Sequence, residues 1–188
     1  SLIAFFHSSK SSTYKADGRK LHIQYGSGAI DGFLSNDIIS VAGITAKNQT
    51  FAEVTSESGL SFIFGKLDGI VGMAFPSISA DGVQPWWNNL VDQKLVAENR
   101  FSFYLSKVPG DQRSALVLGG INQKYFTGPM NYIPLKNTTY WLINWDDAYV
   151  NNQKLNICNN DCTTILDSGT SLIAGPATSI MVSKELKA

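Results

Sequence analysis

Leu21-His22-Ile23-Gln24-Tyr25-Gly26-Ser27-Gly28 alternates apolar and polar side chains and then breaks on two glycines. A period of two puts Leu21, Ile23 and Tyr25 on one face of a half-buried strand. His22 and Gln24 fall on the other face, so His22 is expected at the surface. Gly26-Ser27-Gly28 reads as a turn, and residues 33–41 resume a strand pattern, so residues 19–41 are expected to form a hairpin.

The same signature recurs outward from this hairpin. Short apolar runs at 50–54, 101–105, 115–118, 132–135, 140–143 and 163–166 are separated by turn residues. Many short strands and few helices predict an all-β fold. Two segments have helical spacing. One begins near Pro85, a residue suited to a first helical turn, and carries Trp86, Trp87, Leu90, Val91 and Leu95. The other follows Gly175 and Pro176 and continues through Ile180, Met181 and residues 184–186. No low-complexity tract or loose linker interrupts the chain.

Bulk properties exclude several functions. Fifteen lysines and arginines balance fifteen acids, so no net charge draws the chain to nucleic acid or to an acidic membrane face. No apolar run is long enough to span a bilayer. Residues 1–6 are too short for a signal peptide and lack a preceding basic residue. The chain also lacks an initiator Met, so it reads as processed or cut. The two cysteines, Cys158 and Cys162, form a Cys-x3-Cys pair that either binds metal or forms a local disulfide. His7 and His22 are far away in sequence, which leaves a four-ligand zinc site poorly supported and favours the disulfide. A disulfide implies an oxidising compartment. Two N-x-[ST] sequons, at Asn48 and Asn137, agree with that reading, although each is a weak signal alone.

The segment Ile165-Leu166-Asp167-Ser168-Gly169-Thr170-Ser171 carries the sharpest chemistry. Its plain reading is a β-turn with Asp and Gly in favoured places. Its functional reading is a carboxylate held at a loop tip by a buried strand. There, hydroxyls of Ser168 and Thr170 and nearby backbone N–H groups would keep it ionised and oriented.

On these residues the chain resembles the pepsin and cathepsin D family of aspartic peptidases, whose active-site signature is D-[ST]-G-[TS]. The likeness extends along almost the whole chain and in order. Ser11-Ser12-Thr13-Tyr14 resembles the approach to the substrate flap, and 23–28 the flap itself. Leu67-Asp68-Gly69-Ile70-Val71-Gly72-Met73-Ala74 resembles the family's D-G-I-[LV]-G-[LM]-[AG] stretch, and Val117-Leu118-Gly119-Gly120-Ile121 a segment near the interlobe sheet. Tyr140-Trp141 and the Cys158–Cys162 pair stand where the family has an aromatic strand and a small disulfide loop.

The resemblance implies a pepsin-like bilobal fold, present in part. Residues 1–114 would be the remainder of an N-terminal lobe with its flap, 115–136 an interlobe sheet segment, and 137–188 the start of a C-terminal lobe with its aspartate loop. It implies an endopeptidase acting on polypeptides at acid pH without metal or cofactor, in a lysosome, a vacuole or outside the cell. Asp167 would be the catalytic aspartate of the second lobe. Ser168 would hydrogen-bond across the lobe interface, Gly169 would let backbone approach the substrate, and Thr170 would bind the carboxylate. Tyr25, Gly26 and Ser27 would cover bound substrate. Phe62, Leu67, Ile70 and Ile165 are candidate walls of apolar subsites, a role that core packing explains equally well.

The mechanism implied needs two aspartates, and no second D-[ST]-G is present: Asp31, Asp37, Asp68, Asp111, Asp146 and Asp147 all lack it. Ile70-Val71-Gly72 is expected as the strand that threads the missing first loop, and the strand matching Asp167 would lie past residue 188. Truncation at both ends is the expectation, the rest of the same polypeptide being needed to complete the site. A catalytically inactive, peptide-binding member of the fold is the alternative, and a homodimer with one aspartate per chain is a lesser one. Other chemistries fail on parts. Residues 26–31 miss the last glycine of G-x-G-x-x-G, Gly65-Lys66 is followed by Leu67 and so is no phosphate loop, and neither histidine accompanies a G-x-S-x-G.

Overall fold

A computed structural model describes residues 5–25, 28–58, 68–108, 113–158, 160–170 and 173–176. The chain divides into two compact units, Ser1–Pro129 and Met130–Ala188.

The first unit is built on an antiparallel meander of β1 (Lys15–Tyr25), β2 (Gly28–Val41) and β3 (Ile44–Ser58). The alternation read from the sequence sets its faces: Leu21 and Leu34 are buried, while His22 and Gln24 are exposed. Tyr25 lies opposite Gly28, and Gly26 and Ser27, the expected turn residues between them, fall outside the described residues. Val41 lies opposite Ile44, and the turn residues Ala42 and Gly43 both have positive φ, 51° and 83°. Positive φ at both positions is the mirror-image turn whose twist matches the flanking strands.

A short helix, α1 (Trp86–Asp92), closes one side of β3. Trp86, Trp87 and Leu90 bury themselves on Ala46, with Ile39, Ile44, Phe101 and Leu118 packed around them. The ring of Trp87 meets Phe101 edge-on at 5.1 Å. Pro85 stands just ahead of α1 rather than within its first turn. The helix ends sooner than the spacing of Leu95 suggested. Lys94 adopts φ 56°, its N–H bonds to the Val91 carbonyl, and the Leu95 N–H reaches back to the Leu90 carbonyl. That pair of bonds is a Schellman stop, so Leu95 lies beyond the helix. The pair β4 (Phe101–Tyr104) and β5 (Ala115–Leu118) completes this unit.

Ile70-Val71-Gly72 does not form the expected strand. Ile70 and Val71 are exposed in irregular backbone, and among the described residues no segment pairs with them. A strand needs a partner for its N–H and C=O groups, and apolar β-branched residues alone do not supply one.

The second unit contains β6 (Leu135–Thr138), β7 (Trp141–Asn144), β8 (Tyr149–Val150), β9 (Gln153–Lys154) and β10 (Thr163–Ile165). Strand β7 is central, with β6 and β10 antiparallel on either side. The run at 132–135 becomes strand only at its last residue, because Pro134 has no N–H to give a ladder. Strands β8 and β9 form a separate hairpin over Asn151 and Asn152, whose φ values of 49° and 63° make the same mirror-image turn. The second expected helix, after Pro176, lies outside the described residues.

Candidate active site

Asp167 is delivered by β10. The ladder between β7 and β10 is extended at both ends: Trp145 N–H donates to the Cys162 carbonyl at 2.9 Å, and Leu166 N–H to the Trp141 carbonyl at 3.1 Å. Cys162 is disulfide-bonded to Cys158, so the strand enters from a covalently closed loop. No group of three or more metal-ligating side chains occurs among the described residues.

Immediately beyond the ladder the backbone turns, with Thr170 N–H donating to the Asp167 carbonyl at 3.3 Å. This turn folds two donors onto the side chain. Gly169 N–H donates to Oδ1 at 2.8 Å, and Thr170 Oγ1 donates to Oδ2 at 2.5 Å. Both oxygens therefore accept a hydrogen bond, and the carboxylate faces solvent. No cation pairs with it among the described residues. A Cβ on Gly169 would stand 3.2 Å from Oδ1, so glycine at this position leaves room for the carboxylate to sit against the backbone amide. Ser168 is exposed at the crest of the turn, and Ser171 lies outside the described residues.

In the first unit Tyr25 ends β1 half-buried, and burial pushes its phenol upward from the usual value. Gln24 is a contributor that sequence reasoning missed. Its Nε2 donates to the carbonyls of Tyr25 at 2.8 Å and Gly28 at 3.0 Å, tying the last residue of β1 to the first of β2. The signal was an amide on the polar face beside the expected turn. His22 and Asp31 face each other across the hairpin, with Nδ1 and Oδ1 2.7 Å apart, both exposed. Of the candidate subsite walls, Ile70 and Ile165 are exposed, and Phe62 and Leu67 lie outside the described residues.

The Ser11-Ser12-Thr13-Tyr14 segment is anchored by Asp37, a buried carboxylate. Thr13 Oγ1 donates to Asp37 Oδ1 at 2.5 Å and Ile38 N–H donates to the same oxygen at 2.7 Å. Hydrogen bonds from Ser11 and Thr13 hold this carboxyl below its ordinary range, against the opposing effect of burial. Alongside, Tyr14 Oη and Ser35 Oγ lie 3.2 Å apart, and Ser35 Oγ donates to Glu53.

Asp147 plays a comparable part in the second unit. Its side chain is fully buried, its Oδ1 accepts from Ala148 N–H at 2.8 Å and Ile157 N–H at 3.1 Å, and Lys154 Nζ stands 3.7 Å from Oδ2. Burial pushes its pKa up. The amides of Ile157 and Ala148, with the Lys154 ammonium, outweigh that and hold it below the usual carboxylate range. The carboxylate thus joins the β8–β9 hairpin to the segment entering the disulfide loop, and through that loop to the strand bearing Asp167.

Comparison with known proteins covers nearly every residue. A model of the eukaryotic aspartyl protease family matches residues 2–186. Cathepsin D of Dictyostelium discoideum is 46% identical over 180 residues, covering 96% of this chain and 47% of that protein. Embryonic pepsinogen of Gallus gallus is 45% identical over 175 residues, 93% of this chain and 45% of the relative. A probable vacuolar protease A of Trichophyton verrucosum is 46% identical over 184 residues, again 95% of this chain and 45% of the relative. The chain spans under half the length of these relatives. With a family match across almost all its residues, the chain belongs to the eukaryotic aspartyl protease family.

Proposed function

We propose that this chain supplies Asp167 to an aspartic endopeptidase that hydrolyses polypeptides at acid pH, with a second aspartate supplied by polypeptide outside these 188 residues. The observation that carries the reading is the Asp167 turn. Two donors, the Gly169 N–H and the Thr170 hydroxyl, fix a solvent-facing carboxylate that pairs with no cation among the described residues. Such a group is positioned to accept and return a proton. Opposite a second carboxylate it would share one proton, because two adjacent negative charges are costly, and the pair would titrate as a unit. One carboxylate then takes a proton from a bound water as that water attacks the peptide carbonyl, and the other protonates the carbonyl oxygen.

In this reading Ser168 bonds to the other lobe, and Tyr25, Gly26 and Ser27 cover the substrate, with Gln24 fixing the ends of their turn. The Cys158–Cys162 disulfide and the relative described as a probable vacuolar protease support an oxidising compartment: lysosome, vacuole or extracellular space. The 188 residues alone are inactive, because half of the acid–base pair is missing.

The test is hydrolysis of a denatured protein at acid pH by the full-length protein and its Asp167→Asn variant. General acid–base help is worth about 10² to 10⁴ in rate, and the variant should lose at least that. A variant that keeps the parent rate, or pepstatin-sensitive cleavage by the 188-residue chain alone, would sink the proposal.

A further inference from the structure

Four amide side chains are hydrogen-bonded around the point where β3 bulges away from β2, and two of them, Gln49 and Asn89, are buried. The register slips between Asp37 and Ile39, where Lys47 and Asn48 on β3 stand against the single residue Ile38 on β2. From α1, Asn89 Nδ2 donates to the Lys47 carbonyl at 3.0 Å; from just beyond it, Gln93 Nε2 donates to the same oxygen at 2.8 Å. Lys47 N–H in turn donates to Gln93 Oε1 at 3.1 Å. Gln49 is buried, accepting from Asn89 Nδ2 and donating to the Gln84 carbonyl, both at 3.0 Å. Asn36 Nδ2 donates to Thr50 Oγ1 at 3.2 Å.

Asn48 is the exception. It is exposed, and among the described residues nothing donates to or accepts from its carboxamide. Its φ of 50° lies in the left-handed region that Asn enters more readily than most residues. The clamp on Lys47 and the burial of Gln49 on either side force Asn48 outward. Beside it runs an open groove of about 340 Å³, lined by Ser12, Thr13, Lys15, Asn36 and Ile38 among others, which leaves room at the surface for a group attached to Asn48.

We propose that Asn48 is an N-glycosylation site, with the inward clamp of Asn89 and Gln93 on Lys47 holding the modified side chain out of the fold. Asn48-Gln49-Thr50 meets the sequence requirement. The donor is an oligosaccharide joined to a polyprenyl lipid through a pyrophosphate. The Asn48 Nδ2–C1 bond forms, the C1–oxygen bond to pyrophosphate breaks, the lipid pyrophosphate leaves, and the carboxamide nitrogen loses one proton.

The inference rests on the secretory route in the functional reading, so the test fixes that route. The full-length protein is produced in a eukaryotic secretory host behind a supplied leader, and both secreted and retained pools are analysed by peptide mass. The peptide containing Asn48 should carry glycan and should show Asn converted to Asp after enzymatic deglycosylation. Asn48→Gln and Thr50→Ala should each lose that glycan, while Thr50→Ser keeps it. The enzyme should also remove the glycan from the undenatured protein, because the side chain points outward. An unmodified Asn48 peptide in both pools overturns the proposal, as does a glycan released only after denaturation. Neither result bears on catalysis by Asp167.

Discussion

Replacing Thr170 with valine removes one hydroxyl and keeps the branched shape of the side chain. In the structure that hydroxyl donates to Asp167 Oδ2 at 2.5 Å, while the Gly169 amide continues to hold Oδ1. A hydrogen bond to a charged group contributes about 1.5–3 kcal/mol. The Asp167 carboxylate is exposed, so water partly replaces the lost donor and the lower figure applies. A loss of about 1.5 kcal/mol from the transition state corresponds to roughly a tenfold fall in kcat/KM. The assay is cleavage of a quenched fluorogenic peptide by the full-length protein at acid pH, with Thr170→Ser as control. The serine variant retains the donor and should keep a rate close to the parent. The unfolding midpoint should not move in either variant, since the site is at the surface. A valine variant as active as the parent, or a serine variant as impaired as valine, would refute the argument that this hydroxyl orients the reacting carboxylate.

Two further outcomes test the framework. Leu90→Ala empties a fully buried position between Trp86, Trp87 and Ala46. Three lost carbons at about 0.8 kcal/mol each, plus a cavity that two indoles cannot readily fill, give about 3–4 kcal/mol of destabilisation. A fall in urea midpoint equivalent to under about 1 kcal/mol would show that the α1 contact is not a core. Asp147→Asn tests the buried carboxylate through pH. Because its folded pKa is depressed, its contribution is fully present above the unfolded value of about 3.9 and disappears as pH falls through the folded value. The stability gap between parent and variant should be widest near neutral pH and should close on acidification. A gap that is constant, or that widens in acid, would contradict the role assigned to Asp147.

The parts of the fold that the sequence disclosed are those with long, regular alternation. Leu21, Ile23 and Tyr25 announce the second half of β1 because each strand residue points opposite to its neighbour, whereas Lys15–Lys20 are exposed throughout and carry no such alternation. Strands β8 and β9 were invisible for the opposite reason: at two residues each they carry no period, and only Asn151-Asn152 marked their turn. The Leu95 spacing overran α1 because helical periodicity does not register a left-handed residue such as Lys94. Ile70 and Val71 have strand composition without a strand, since pairing belongs to two segments and composition to one. At the candidate site, Asp167, Gly169 and Thr170 were legible from their adjacency. Gln24, Asp37 and Asp147 were not, because their partners lie on backbone or in distant segments that no linear spacing encodes.

The meander of β1, β2 and β3 has a consequence for how the chain comes together. Its most widely separated partners are Lys15 with Asn36 and Ala29 with Ser58, so every rung closes over a short length of polypeptide. Loop closure of this kind costs little entropy and favours rapid assembly. The three strands can therefore zip together as soon as residue 58 has left the ribosome, well before Cys158 and Cys162 have been synthesised and can be oxidised. Birth order then gives the hairpin a head start of more than a hundred codons on the aspartate loop, and the slow chemistry of sulfur falls to the later half.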